Sequence, residues 1–261
     1  MDYQHLHIAD NDGIFTVTVN RPRALNAINR RMMEELHHFF GTEAPGHAHL
    51  RGVVLTGAGE KAFVAGADIK ELLAVESSEQ GTALSAYGQE TFFLIERFPR
   101  PVVAAINGFA LGGGCELAMA CHLRVATTNA KFGQPEVNLG ILAGYGATQR
   151  LVQLIGKSKA TELLLTGDMI GAQEALELGL VNYVLPFGDE LQKAVELIEK
   201  ISKKGPLAVA KTLAAINAYF QHEKDGFAVE ADSFGELCQS ADFKEGAQAF
   251  VEKRRAVFTG K

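Results

Sequence analysis

Residues 101–151 read PVVAAINGFALGGGCELAMACHLRVATTNAKFGQPEVNLGILAGYGATQRL, and this stretch decides the fold. It opens on a proline followed by a valine-rich apolar run to Ile106, the pattern of a strand covered on both faces. Asn107 and Gly108 end the run. Gly112-Gly113-Gly114 then leads into an Ala- and Leu-rich segment, 115–121, of helical character. Successive glycines cost backbone entropy, so they are favoured where another group must approach the main chain closely. Free N–H groups and the positive end of a helix dipole converge at Gly113 and Gly114. That arrangement suits an anion, or an oxygen that becomes anionic during a reaction; a ligand-free strand-to-helix turn explains the glycines equally well. Glu116 and Glu136 tip the balance. Each is a carboxylate in apolar surroundings, where acids are seldom buried without a task. Two of them near one glycine turn read as acid/base machinery.

Upstream, residues 6–9 and 14–19 flank Asp10-Asn11-Asp12-Gly13 as a hairpin, and Asn29 caps a helix running to Phe40. Residues 51–56 form the next strand. Gly57-Ala58-Gly59 after it does not complete a dinucleotide-binding fingerprint, because the third glycine position holds Ala62 and no helix opens there. Small residues recur at Ala65-Gly66-Ala67 before a helix near Ile69, where they serve either a ligand touching the backbone or simple close packing. A second amphipathic helix is expected over 85–98, halted by Pro99 and Pro101. After the organising stretch come short helices, a strand at 181–185, and four helices from 189 onward. Strands alternate with helices up to Pro186 and helices alone follow, which divides the chain into an α/β core, 1–187, and a C-terminal helical region, 188–261.

The chain of 261 residues is 47% hydrophobic and carries a net charge of −6. That balance argues against nucleic acid or an anionic membrane surface as partner, and no apolar run approaches the ~20 residues needed to span a bilayer. The first residues lack a secretory or transit pattern. Cys115, Cys121 and Cys238 frame no disulfide set, so a reducing, cytoplasmic setting is expected. His37, His38, His47 and His49 fit no metal-ligand spacing and read as solvated, so no metal is expected.

Five motifs in order resemble the enoyl-CoA hydratase/isomerase (crotonase) family: NRPRALNAIN at 20–29, KAFVAGADIKEL at 61–72, ALGGGCELAMACHLRVA at 110–126, FGQPEVNLGI running into GATQRL at 132–151, and KEGAQAFVEKR at 244–254. The resemblance implies an α/β fold of ββα units wound into a spiral, closed by C-terminal helices that cap the molecule and assemble it as a trimer or a dimer of trimers. It implies hydration of a trans-2-enoyl-CoA, with isomerisation of a 3-enoyl-CoA or another acyl-CoA reaction as the alternative. Coenzyme A would arrive as part of the thioester substrate, with no separate cofactor.

The chemistry fits those residues. Water adding at C3 drives negative charge onto the thioester oxygen, which needs hydrogen-bond donors, while a base and an acid handle the protons. By resemblance the donors are the main-chain N–H groups of Ala67 and Gly113. Glu116 is the base for the water proton, and Glu136 orients the water and exchanges the proton at C2. Both acids together favour hydration. Arg23, Ala24, Leu25, Ala65, Asp68, Ile69 and Lys70 are implied to line the coenzyme A path, although Asp68 also reads as a turn or capping residue and Arg23 and Lys70 as solvated charges. One place departs from the family pattern. Where Pro-Gly-Ala-Gly-Gly is usual, this chain has Ala143-Gly144-Tyr145-Gly146-Ala147, so Tyr145 either shortens the acyl pocket or offers a hydroxyl to a polar acyl group. RNA association, known among relatives, is disfavoured by the acidic balance.

Overall fold

A computed structural model describes residues 1–221 and 223–261. Strands β1 (Leu6–Asn11) and β2 (Ile14–Val19) form the expected hairpin, turned at Asp12 and Gly13 with φ of +52° and +77°. Helix α1 (Arg30–His38) is capped as anticipated, Asn29 accepting from the Met32 N–H at 3.0 Å. Then come β3 (Gly52–Gly57), β4 (Ala62–Val64), α2 (Ile69–Leu72) and α3 (Ser78–Glu96). They are followed by β5 (Val102–Ile106), β6 (Phe109–Leu111), α4 (Gly113–Ala120), β7 (Leu123–Thr127) and β8 (Lys131–Gly133). A 3-10 turn, Pro135–Leu139, precedes α5 (Ala147–Ile155), α6 (Lys157–Thr166), β9 (Met169–Gly171), α7 (Ala172–Glu177) and β10 (Tyr183–Leu185). Four helices end the chain: α8 (Glu190–Ile201), α9 (Pro206–Ala218), α10 (Gly226–Cys238) and α11 (Ala241–Val251).

The strand order explains the spiral. A larger sheet runs β1-β2-β3-β5-β7-β10, parallel except for the β1–β2 pair, and a smaller one runs β4-β6-β8-β9. Successive turns place one strand in the large sheet, a short strand in the small sheet, and then a helix: β3-β4-α3, β5-β6-α4 and β7-β8-α5. The chain therefore crosses the same edge repeatedly, and each crossing delivers its turn to one place.

Apolar packing holds the layers. Phe39, Phe63, Phe92 and Phe132 are completely buried between the sheets and the helices, each worth about 1.5–3 kcal/mol when fully removed from water. On the far face of the large sheet, Ala194 and Ile198 of α8 pack on Ile14, Val54, Val103 and Val125. The secondary structure thus changes character near Pro186, whereas the packing changes only after α8, and α9–α11 leave the sheet.

Two expectations are revised. Helix α3 starts at Ser78 rather than near 85, because Ser77 caps it by accepting the Gln80 N–H at 3.2 Å while its first turns carry little apolar periodicity. The three-residue strands of the small sheet were not anticipated, being too short to show alternation. Among the described residues no helix is long and apolar enough to cross a membrane. Nor do three His, Cys, Asp or Glu side chains gather into a metal-holding group there. His49 instead lies against Asp10 at 2.7 Å, and His38 against Tyr3 at 3.0 Å.

Candidate active site

The glycine turn between β6 and α4 is built for close approach, and each glycine has its own reason. Gly112 has φ of +49°, and a Cβ there would lie 2.6 Å from Glu136 Oε1. A Cβ on Gly114 would overlap the main-chain carbonyl of Val64. At Gly113 it would press at 3.3 Å on both the Ile28 side chain and the Tyr145 ring. The Gly112 N–H is already used, donating to the Gly133 carbonyl at 2.9 Å. Gly113 opens the helix, so its N–H has no acceptor within it.

The second small-residue turn lies alongside. Ile28 donates to the Gly66 carbonyl at 2.8 Å and accepts from the Asp68 N–H at 2.7 Å, which brackets Ala67 from both sides. Gly66, with φ of +105°, faces the Leu111 carbonyl and the Cα-side of Gly112. Ile28 therefore ties the two turns together: its main chain pairs with Ala67 and its side chain abuts Gly113. Among the described residues neither the Ala67 nor the Gly113 N–H finds an acceptor.

Glu116 sits one turn into α4 and is 1% exposed. Its Oε1 accepts the N–H of Tyr145 at 2.7 Å and that of Ala147 at 2.9 Å. Ala147 is the first residue of α5, so this carboxylate caps that helix and meets its positive end. Oε2 has no protein partner among the described residues. Burial pushes the carboxyl up to about 7, with the Ala147 N–H opposing it, the Glu136 charge adding to it, and Tyr145 and Arg150 lowering it. At neutral pH such a group both takes and gives a proton.

Glu136 stands in the 3-10 turn with its carboxylate over Gly112. Burial raises its pKa and its own N–H opposes the rise. The buried Gln134 amide, with its nitrogen turned to the carboxylate, lies 3.1 Å from both Glu136 oxygens. Behind Glu136 opens a cavity of about 240 Å³ lined by Val137, Leu142, Thr148, Leu164 and Leu165. The Cys115 thiol is fully buried and pushed up to about 12 by that burial, which leaves it a neutral packing group.

Tyr145 is 8% exposed; its ring packs against Gly113 and the bare backbone of Gly88 in α3 and meets Phe92 edge-on at 5.6 Å. Burial pushes its phenol up to about 12, so it stays neutral. Arg150 was not foreseen. Its Nη1 donates to the Tyr145 carbonyl at 2.9 Å and its Nε to Glu96 at 2.6 Å, while Nη2 is buried without a partner among the described residues. The GATQRL motif contains it, but a charged residue in a helical stretch carries no sign of burial.

The structure brings Glu116, Glu136, Gly113, Ala67 and Tyr145 to one point. The remaining sequence candidates are exposed or half-buried and lie beside the Ala67 turn, 65–70 in sequence and Leu25 through its bond to Ala65. Arg23, Ala24 and Leu25 are exposed, and the Leu25 carbonyl accepts the Ala65 N–H at 3.1 Å. Ile69 and Lys70 are exposed at the start of α2. Asp68 is engaged within the protein: it caps α2 through the Lys70 N–H at 3.3 Å and pairs with Arg21 at 3.0 Å.

Known proteins resemble the chain along nearly its whole length. The family model described as Enoyl-CoA hydratase/isomerase matches residues 9–261. The chain is 43% identical over 256 residues to the short-chain-enoyl-CoA hydratase of Clostridium acetobutylicum, covering 98% of this chain and 97% of that protein. It is 44% identical over 265 residues to the crotonyl-CoA hydratase of Syntrophomonas wolfei, covering 100% of both. The crystal structure of an enoyl-CoA hydratase from Bacillus anthracis superposes with a TM-score of 0.91 at 40% identity, over 99% of this chain and 100% of that one.

Proposed function

This chain belongs to the enoyl-CoA hydratase/isomerase family, and from that premise we propose that it hydrates the C2=C3 double bond of short trans-2-enoyl-CoA thioesters to 3-hydroxyacyl-CoA. It is an enzyme of the hydro-lyase type. The observation that carries the reading is the pair of carboxylates flanking one glycine turn, with Glu116 poised near neutrality by burial.

The thioester oxygen lies between the Ala67 and Gly113 N–H groups, which strengthen their bonds as the oxygen gains charge; one such donor is worth about 10²–10³ in rate. Glu116 Oε2 removes a proton from water as its oxygen bonds to C3. The C2=C3 electrons move toward the carbonyl, and Glu136, aimed by Gln134, orients the water and supplies the proton at C2. The two acids exchange protons as one coupled unit. No cofactor takes part, since coenzyme A belongs to the substrate. Its path follows Arg23, Ala24, Leu25, Ala65, Ile69 and Lys70, with Asp68 shaping the turn. Tyr145 closes the acyl end and restricts the chain length. The protein works in the cytoplasm as a homotrimer or a dimer of trimers, with neither nucleic acid nor membrane as partner.

The test is a spectrophotometric survey of crotonyl-CoA, longer 2-enoyl-CoAs and a 3-enoyl-CoA. Fast loss of the conjugated thioester with crotonyl-CoA is expected, and Glu116→Gln and Glu136→Gln should each lower kcat by about 10²-fold or more. Turnover of the 3-enoyl-CoA alone would make the chain an isomerase, and near-wild-type hydration by either variant would remove the mechanism.

A further inference from the structure

Helix α3 carries Ser85, Gly88 and Gln89 on one face, at the i, i+3, i+4 spacing of a single stripe. All three meet the loop that holds Glu116. Ser85 Oγ donates to the Gly144 carbonyl at 2.6 Å, and Gln89 Nε2 donates to the same oxygen at 3.0 Å and to Ser85 Oγ at 3.2 Å. Gly88, lacking a side chain, receives the Tyr145 ring, whose edge occupies the space of a Cβ.

The Gly144 carbonyl and the Tyr145 N–H belong to one peptide plane. That plane is rigid and trans, so its N–H points opposite to its C=O. Two donors fixing the oxygen on the α3 side therefore aim the N–H at Glu116 Oε1, 2.7 Å away on the other side. Donors on a carbonyl also polarise the N–H of the same unit and make it a stronger donor. The neighbouring peptide is fixed separately, by Arg150 on the Tyr145 carbonyl.

We propose that Ser85 and Gln89 are positioning residues of the reaction, orienting and charging the general base Glu116 through the single Gly144–Tyr145 peptide, with Gly88 as the socket that seats the loop. This rests on the hydratase reading for its catalytic consequence, but not for its physical core. The other titratable and charged groups facing Glu116 are Glu136, Arg150 with its Glu96 partner, the Cys115 thiol and the Tyr145 phenol. None is altered by changing Ser85 or Gln89.

The test uses the full chain as Ser85→Ala/Gln89→Leu, with glutamate carboxyls ¹³C-labelled and the Glu116 signal assigned by its loss in Glu116→Gln. Weakening the Tyr145 N–H destabilises the carboxylate, so the Glu116 titration midpoint should rise by about half a pH unit or more. With crotonyl-CoA, kcat should fall about 10-fold, KM should stay within about twofold, and the acid limb of the pH profile should move up with the midpoint. Ser85→Thr/Gln89→Leu, which puts a hydroxyl back beside the Gly144 carbonyl, should recover part of both the midpoint and kcat relative to the double variant. An unchanged midpoint, or an equal loss of kcat at every pH, overturns the proposal. If the double variant does not fold, Gln89→Leu alone removes one donor and must give the same directions at smaller size. A shifted midpoint in a protein whose wild type does not hydrate crotonyl-CoA would defeat the hydratase reading and leave the seat standing.

Discussion

Glu116 combines burial with two main-chain N–H donors at 2.7 and 2.9 Å, and burial wins. The outcome bears on stability as well as on catalysis. Its folded pKa of about 7 lies above the ordinary 4.5, so the native state holds that proton more tightly than the unfolded chain. The resulting stabilisation is complete below the ordinary value and is lost as pH rises through the folded one. Glu116→Gln keeps an oxygen for the two N–H groups and never ionises. In denaturant titrations the stability of wild type relative to Glu116→Gln should therefore fall, by on the order of 3 kcal/mol, between pH ~4.5 and pH ~8. A difference that stays constant across that range would show that the carboxyl is not held up by its surroundings. Glu116 and Glu136 were legible in the sequence because a carboxylate among apolar neighbours is a local anomaly. Ser85 was not: its partner is 59 residues away, and a serine on a half-exposed helix face has no anomaly to read.

At the scale of elements, two helix N-termini serve one site with opposite clients. The start of α4 leaves the Gly113 N–H free, and the start of α5 is closed by the Glu116 carboxylate. The α4 terminus depends on how closely it packs on β4. An added methyl at Gly114 overlaps the Val64 carbonyl, which is main chain and cannot rotate away, whereas one at Gly113 meets only side-chain atoms, Ile28 Cδ1 and the Tyr145 ring, at 3.3 Å. Gly114→Ala should accordingly cost about 2 kcal/mol or more, and clearly more than Gly113→Ala, in equilibrium unfolding. The reverse order would mean that β4 yields more readily than the side chains around Gly113. The long elements were readable, β3 and β5 from their unbroken apolar runs and α1 from its apolar face and its Asn29 cap. The four short strands of the small sheet were not, since three residues paired by distant partners carry no period, and these strands bring the two turns side by side.

For the whole molecule, the outstanding feature is apolar surface left uncovered beyond the core. Tyr219 is 81%, Phe227 87%, Phe234 69% and Phe250 85% exposed, all from the end of α9 onward. Single exposed aromatics are common on monomers. Here Ile216, Tyr219, Phe227, Phe234 and Leu237 line one continuous groove of about 590 Å³ between α9 and α10, and neither Glu116 nor Glu136 is among its lining residues. A contiguous apolar patch on helices that have left the sheet is a candidate association face, and the sequence had shown those helices without showing which sides they leave bare. If copies of the chain cover it, sedimentation should give a mass three or six times 28.1 kDa. Phe227→Asp/Phe234→Asp, which places charges in the groove, should then return the chain to a single copy. A wild type that sediments as one copy at micromolar concentration, or a double variant of unchanged mass, would exclude this face from assembly and require another explanation for four aromatic rings held in water.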